Sequence, residues 1–203
     1  MKISYHGHSC FSLKVSDYSI LIDPWIKGNP ITDLDFEKVS CDYILVTHGH
    51  FDHLGDAVEL AKRNDATIIG VVELANYCEK QGAKTHGMQI GGEYAFPFGQ
   101  VYLTPALHGS GIIEDNLYLG LACGFVITSK GKSIYHAGDT GIFGDMHLIG
   151  KRFSLDLALL PIGDNFTMGP KDAITATGFL NPKKVVPMHY NTFEVIEQDP
   201  LAF

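Results

Sequence analysis

Apolar residues along this chain fall into short blocks, each bounded by turn-formers or polar runs. Ser12-Leu13-Lys14-Val15 and Ser19-Ile20-Leu21-Ile22, joined through Asp17-Tyr18, predict a hairpin that ends at Asp23-Pro24. Tyr43-Ile44-Leu45-Val46 is continuously apolar, the pattern of a buried strand. Asp56 to Arg63 reads as a helix, Ala66 to Gly70 as a strand, and Val72 to Lys80 as a second helix closed by Gly82. Strand patterns then dominate: Gly92 to Phe96, Val101 to Thr104, and Cys123 to Thr128. The last is joined through Ser129-Lys130-Gly131-Lys132 to Ser133-Ile134-Tyr135-His136. Asp156 to Leu160 and Val185 to Met188 are further apolar strands, with a helix starting near Pro170 between them.

The order contains a loose internal echo. In the first half a hairpin ends in an acid, Asp23, and the strand at Tyr43 then feeds a loop and a helix. In the second half a hairpin leads to Asp139, and the strand at Asp156 feeds a loop and a helix. Two such halves imply two β-rich layers face to face, helices outside, and a site where the halves meet.

Composition narrows this further. At 203 residues and 45% hydrophobic content the chain suits one domain, residues 1–203, around one core. A net charge of −8 argues against nucleic acid or an anionic membrane as a general partner, leaving a small-molecule substrate. Cys10, Cys41, Cys78 and Cys123 are widely spaced and read as buried thiols rather than a disulfide framework. The opening residues are too polar for a signal peptide, and no apolar run has membrane-spanning length, so the expected compartment is the cytoplasm with no membrane insertion.

The chemistry concentrates in Thr47-His48-Gly49-His50-Phe51-Asp52-His53-Leu54-Gly55, where a buried strand turns into a helix. In an extended segment His48 and His50 project to one side and can grip one ion. Asp52 and His53, adjacent at the helix start, can be aimed at a second. Imidazole and carboxylate without thiolate suit Zn, Mn or Fe rather than Ca or Mg.

His48-x-His50-x-Asp52-His53 resembles the signature of the metallo-β-lactamase-fold hydrolases. Gly7-His8-Ser9-Cys10-Phe11 and Gly138-Asp139-Thr140-Gly141 resemble, more narrowly, an uncharacterised branch of metal-dependent hydrolases. That branch is related to the ascorbate-lactone hydrolases and the phosphodiesterases of N-acyl lipids. The resemblance runs along nearly the whole chain. It implies an α/β fold, the four-layer αββα sandwich of two mixed sheets with helices outside. It also implies two divalent ions, Zn first and Mn or Fe as alternatives. His48, His50 and His108 match the ligands of the first, Asp52, His53 and His189 those of the second, and Asp139 the bridging carboxylate.

The implied activity is hydrolysis of an ester, lactone or phosphodiester by a hydroxide shared between the ions. Asp52 is also a candidate for passing a proton to the leaving group, and His8 for orienting a substrate oxygen or bonding a ligand. Asn165 and Thr167 are the substrate-binding candidates, and Asp23 a partner for a ligand imidazole. Trp25 reads as core. His6, His86, His136 and His147 match no ligand position. The relatives continue past a segment like Gln198-Asp199-Pro200, where this chain ends at Phe203, so either the chain is a short or truncated version or a second subunit completes that edge. Two other readings share the motif. One is a metal-bound sensor without turnover. The other is a di-iron oxygen or nitric-oxide reductase, which carries glutamate where His50 stands here.

Overall fold

The computed structural model describes residues 1–201 and residue 203. One six-stranded sheet holds β1 (Lys2–Tyr5), β2 (Phe11–Val15), β3 (Tyr18–Ile22), β4 (Tyr43–Leu45), β5 (Thr67–Val71) and β6 (Lys84–Met88), in that spatial order. The first three are antiparallel, and β3 to β6 run parallel. Parallel neighbours need a crossover. Between β4 and β5 it consists of α1 (Phe51–Leu54) and α2 (Ala57–Asn64), and between β5 and β6 of α3 (Val72–Lys80).

The second sheet is built from β7 (Glu93–Phe96), β8 (Gly99–Pro105), β11 (Cys123–Ser129), β12 (Lys132–His136), β13 (Leu157–Pro161) and β14 (Val185–Met188). A two-stranded flap, β9 (Gly111–Ile112) with β10 (Leu117–Tyr118), interrupts the run between β8 and β11. The spatial order is β14-β13-β12-β11-β8-β7, parallel from β12 to β14 and antiparallel elsewhere. Each half therefore passes from an antiparallel hairpin to parallel strands, and the two halves form the two β-layers that the internal echo implied. Helices α4 (Met146–Arg152) and α5 (Pro170–Leu180) pack on each other, and α5 lies on β13.

The two sheets face one another across a single apolar cluster that includes Ile44, Leu45 and Ile69 from one side and Leu103, Phe125 and Leu159 from the other, all fully buried. Tyr43 meets Phe98 edge to face at 4.7 Å, and Phe11 meets His136 at 5.5 Å, so aromatic pairs bridge the layers. The backbone joins them too, Cys123 N–H donating to the Thr47 carbonyl at 3.0 Å.

Several boundaries differ from the sequence expectation. Tyr18 pairs with Val15, so the first hairpin turns at Ser16-Asp17 rather than Asp17-Tyr18. Ser129 and Lys132 pair, leaving Lys130-Gly131 as a two-residue turn with φ of 50° and 70°, the geometry that matches strand twist. The metal loop does not run straight into one helix. Gly55, at φ 39°, ends the single turn α1, and a Cβ there would lie 2.8 Å from the Pro24 carbonyl oxygen. Strands β1 and β6 are the sheet's edges, and their polar, half-exposed residues carry no periodic signal.

Candidate metal centre

The ligand-type residues come from strand ends that open on the same edge of the sandwich. Asp23 follows β3, His48 to His53 follow β4, His108 follows β8, Asp139 follows β12 and His189 follows β14. Their side-chain donor atoms converge in three overlapping groups, with every donor in a group within 4.8 Å of the others. His48, His50 and His108 form one; His48, His53 and Asp139 a second; His8, Asp52, His53 and His189 a third. All seven residues matched by resemblance are thus brought together, with His8 added to them.

Asp139 sits between the groups. Its Oδ1 is 3.2 Å from His53 Nε2, and its Oδ2 is 2.9 Å from His189 Nε2 and 3.5 Å from His108 Nε2. The turn that places it needs Gly138, whose φ is 64° and whose Cβ, if present, would lie 2.6 Å from the Cys123 carbonyl oxygen. Thr140 ties neighbouring loops to this turn. Its hydroxyl accepts from the Leu107 N–H at 2.9 Å, and its carbonyl accepts from the Met168 N–H at 2.8 Å.

The tautomers of the inner histidines follow from their partners. Asp23, fully buried, accepts from Thr47 N–H at 2.8 Å, Thr47 Oγ1–H at 2.7 Å and His53 Nδ1–H at 2.8 Å. Thr47 Oγ1 gives its proton to Asp23, so toward His48 Nδ1, 3.0 Å away, it acts as acceptor. Both His48 and His53 therefore carry a proton on Nδ1, which leaves Nε2 as the nitrogen each turns to the cluster. One carboxylate orients two ligand imidazoles, a common support for metal-binding histidines. Asp23 takes the role expected of it; Thr47 was not singled out by sequence.

His8 adopts φ 57° and is completely buried. Its Nε2 meets Asp52 Oδ2 at 3.0 Å, its Nδ1 meets Thr192 Oγ1 at 2.6 Å, and its carbonyl accepts from the His189 N–H at 2.8 Å. Burial pushes its pKa down to about 4, so it is a neutral imidazole that donates to Asp52.

The electrostatics call for added positive charge. Burial opposes a charge on His53, yet Asp139, Asp52 and Asp23 around it outweigh burial and hold its pKa well above the ordinary histidine value. Burial likewise opposes ionisation of Asp139 and Asp52. His189 and His53 nonetheless keep Asp139 well below the carboxylate range, and His53 and His8 bring Asp52 down to about 2. By contrast burial, reinforced by the neighbouring histidines, pushes His48, His50 and His108 below the usual value and leaves them neutral. His53 Nε2 and Asp139 Oδ1 are buried with no hydrogen-bond partner among the described residues. A buried set of ionised carboxylates, the neutral imidazoles of His48, His50 and His108, and His53, whose Nε2 proton a cation would replace, fits metal cations.

The cluster forms the floor of a cavity of about 420 Å³. Its walls are Phe51, Ile113, Phe166, Phe193 and Val195. From the loop that holds Asn165 and Thr167 it is the residue between them, Phe166, that reaches the wall; neither Asn165 nor Thr167 is in the lining. The Thr167 hydroxyl instead donates to the Met168 carbonyl at 3.2 Å, and Asn165 is exposed at φ 45°. Trp25 lies behind the wall, 6% exposed and stacked on Phe193 at 5.5 Å, in keeping with its core reading. His6 is bonded to Asp33 and Ser12, His136 to Ser9, and His147 to Gly144, away from the cluster; His86 lies against Tyr94. Phe193, Val195 and Thr192 were missed, since nothing in the sequence marks a short segment after the last ligand as returning over the site.

Residues 18–190 match the family model described as a beta-lactamase superfamily domain. A UPF0173 metal-dependent hydrolase of Geobacillus sp. (strain WCH70) is 56% identical over 206 residues, covering 100% of this chain and 91% of that protein. The structure of Igni18, a metallo hydrolase from the hyperthermophilic archaeon Ignicoccus hospitalis KIN4/I, superposes with a TM-score of 0.91 at 39% identity over 98% of this chain and 87% of that one. An isothiocyanate hydrolase from Delia radicum gut bacteria superposes with a TM-score of 0.79 at 26% identity, over 99% and 89%. With ligand-type residues from both halves of a metallo-β-lactamase fold meeting at one cluster, and with relatives this similar along its whole length, the chain belongs to the UPF0173 metal-dependent hydrolases of the beta-lactamase superfamily.

Proposed function

We propose that this hydrolase works with two divalent cations, Zn in the first place with Mn or Fe as alternatives, and cleaves an ester, lactone or phosphodiester. The observation that carries the reading is the position of Asp139, with one oxygen toward His53 and the other toward His108 and His189. His48, His50 and His108 would hold one cation; Asp52, His53 and His189 the other; Asp139 would belong to both. Two bound cations supply an ionised water at neutral pH and polarise the scissile group.

The chain's own residues do the rest. Asp23 and Thr47 fix the ligand tautomers. His8 holds Asp52 at the cavity floor through Nε2–H, and Thr192 in turn holds His8. Asp52, which lines the cavity, would receive the proton lost by the attacking water and return it to the leaving oxygen. The apolar walls would displace bulk water from the reacting atoms once a substrate lies against them. The four cysteines are free and buried, which supports a reducing compartment, the cytoplasm.

The test is elemental analysis of the purified protein together with a panel of esters, lactones and phosphodiesters. Two transition-metal ions per chain, and turnover abolished by chelation and restored by metal, are expected. A reproducible single ion would remove the shared role of Asp139. Full loading with no turnover on any class would favour the sensor reading.

A further inference from the structure

The cavity walls are unlike an ordinary surface. Phe51, Ile113, Phe166 and Val195 are each more than half exposed, at 58%, 75%, 52% and 60%. They come from four separate segments: α1, the β9–β10 flap, the loop before α5, and the stretch after His189. Burying any of them in the core would stabilise the fold, yet all four, with Phe193, are turned toward one concavity above the metal-binding floor. A volume of about 420 Å³ is within the range of small-ligand pockets.

The charges around it exclude a second kind of handle. No lysine or arginine stands between Lys84 and Lys130, or after Lys184. The loops that surround the cavity lie within those stretches or are themselves free of bases, and they carry Glu114, Asp115, Asp164 and Glu194 instead. An anionic substrate group beyond the reacting centre would meet no protein cation and several carboxylates. Sites that hold phosphates ordinarily supply Arg, Lys or a helix N-terminus.

We infer that this pocket selects its substrate by an uncharged apolar arm, and that the substrate is a neutral carboxylic ester or lactone rather than a phosphodiester. The inference rests on the hydrolytic reading given above and narrows it. In the reaction the oxygen of water bonds to the carbonyl carbon as the bond from that carbon to the alkoxy oxygen breaks. One water proton ends on the released hydroxyl, and the acid formed loses the other to solvent. The arm remains between Phe51, Phe166 and Phe193, with Ile113 of the flap and Val195 closing over it.

Trp25 is the chain's single tryptophan and reports on these walls directly. It stacks on Phe193 at 5.5 Å and 19°, and meets Phe51 edge to face at 5.8 Å. Its fluorescence can follow binding without any turnover. The experiment titrates metal-free and Zn-loaded protein with acetamide, butanamide and hexanamide, and with hexyl phosphate. In parallel, kcat/KM is measured on p-nitrophenyl acetate, butyrate and hexanoate, and on bis(p-nitrophenyl) phosphate.

Affinity for the amides should rise about threefold to fourfold per methylene while the arm is being buried. Hexyl phosphate should bind the metal-free protein more weakly than hexanamide, and the esters should show the same rise in kcat/KM. Phe166→Ala with Val195→Ala should flatten the dependence on arm length in both series; a matching change in Tm would be read separately by calorimetry. Binding and turnover independent of arm length would overturn the inference. So would faster cleavage of the phosphodiester than of every ester, an outcome that leaves the hydrolase standing. Arm-dependent binding in a loaded protein that cleaves nothing would support the pocket's selectivity and instead remove the hydrolytic reading.

Discussion

Asp23 accepts the Nδ1 proton of His53 at 2.8 Å inside a fully buried contact, although thirty positions separate them in the chain. That bond decides which nitrogen of His53 faces Asp139. The same carboxylate reaches His48 through the Thr47 hydroxyl, so one side chain sets two ligand tautomers.

Replacement of Asp23 by Asn should test this relation. The amide NH2 would present a donor where His53 Nδ1–H and Thr47 Oγ1–H now find an acceptor. The imidazole would then hold its proton on Nε2, against Asp139, on the nitrogen a metal ion would need. Metal affinity is expected to fall about 10- to 100-fold, the usual scale for losing such a support. Competition with a chelator measures it; an unchanged affinity with an unchanged fold would make Asp23 a turn residue only.

How much of this was readable beforehand depends on which contacts are local. His48, His50, Asp52 and His53 announce themselves because scarce ligand-type residues crowd into one loop behind a buried strand. The hairpins, α3 and the start of α5 were also legible, since alternation, Gly82 and Pro170 mark them. What stayed illegible was tertiary. His8 was a candidate for bonding a ligand, but that its partner is Asp52, forty-four positions away, depends on a left-handed backbone at His8 and on its carbonyl accepting from His189, neither of which the sequence marks. The edge strand Lys84-Thr85-His86-Gly87-Met88 has no apolar period because one margin of it is exposed. Phe166 rather than Asn165 or Thr167 reaches the cavity, a choice fixed by the loop's twist at Asp164 and Asn165, both at positive φ.

Gly138→Ala should be costly out of proportion to its size. A left-handed backbone costs an alanine about 1–2 kcal/mol. The added Cβ would also meet the Cys123 carbonyl oxygen at 2.6 Å and Thr47 Cβ at 3.1 Å. Relief requires moving either β11 or the turn that carries Asp139. The expected result is a lowered Tm together with weaker metal binding, read by calorimetry and by chelator competition on the same samples. Gly131→Ala is the control, because its φ is also positive, at 70°, but nothing lies within 4 Å of the added atom.

Acid should destabilise the metal-free protein through His136. Its Nε2–H donates to the Ser9 carbonyl at 3.0 Å and its Nδ1 accepts from the Gly138 N–H at 3.2 Å. Burial is the main reason its pKa lies below the ordinary value, and a second ring proton would face the Gly138 donor. The group is neutral in the fold where the unfolded chain, with a pKa near ~6.5, begins to take a proton. Its contribution is therefore present above that value and lost as pH falls below it. His53, whose pKa is raised, runs the opposite way, so the comparison must be made against a variant. Urea unfolding in chelator at about pH 7.5 and about pH 5.5 should show a larger loss in the parent than in His136→Gln. Equal losses would mean that His136 stays protonated or unprotonated alike in both states.

Asp139→Asn separates catalysis from metal storage most directly. The substitution keeps the size of the side chain and removes its charge. His53 and His189 then lose their anionic partner at 3.2 Å and 2.9 Å. The group His48, His50 and His108 has its own three imidazoles and depends less on that carboxylate. One metal ion should therefore be retained and the other weakened markedly. Turnover should fall more than a hundredfold, since losing ~3 kcal/mol of transition-state stabilisation is already enough for that. The alternative is an aspartate that only shapes the Gly138-Asp139-Thr140 turn, in which case asparagine, which favours similar turns, would serve almost as well. Metal content and turnover measured together on the folded variant decide between them. Full occupancy with unchanged rate would leave Asp139 a turn residue and break the link between the two halves of the site.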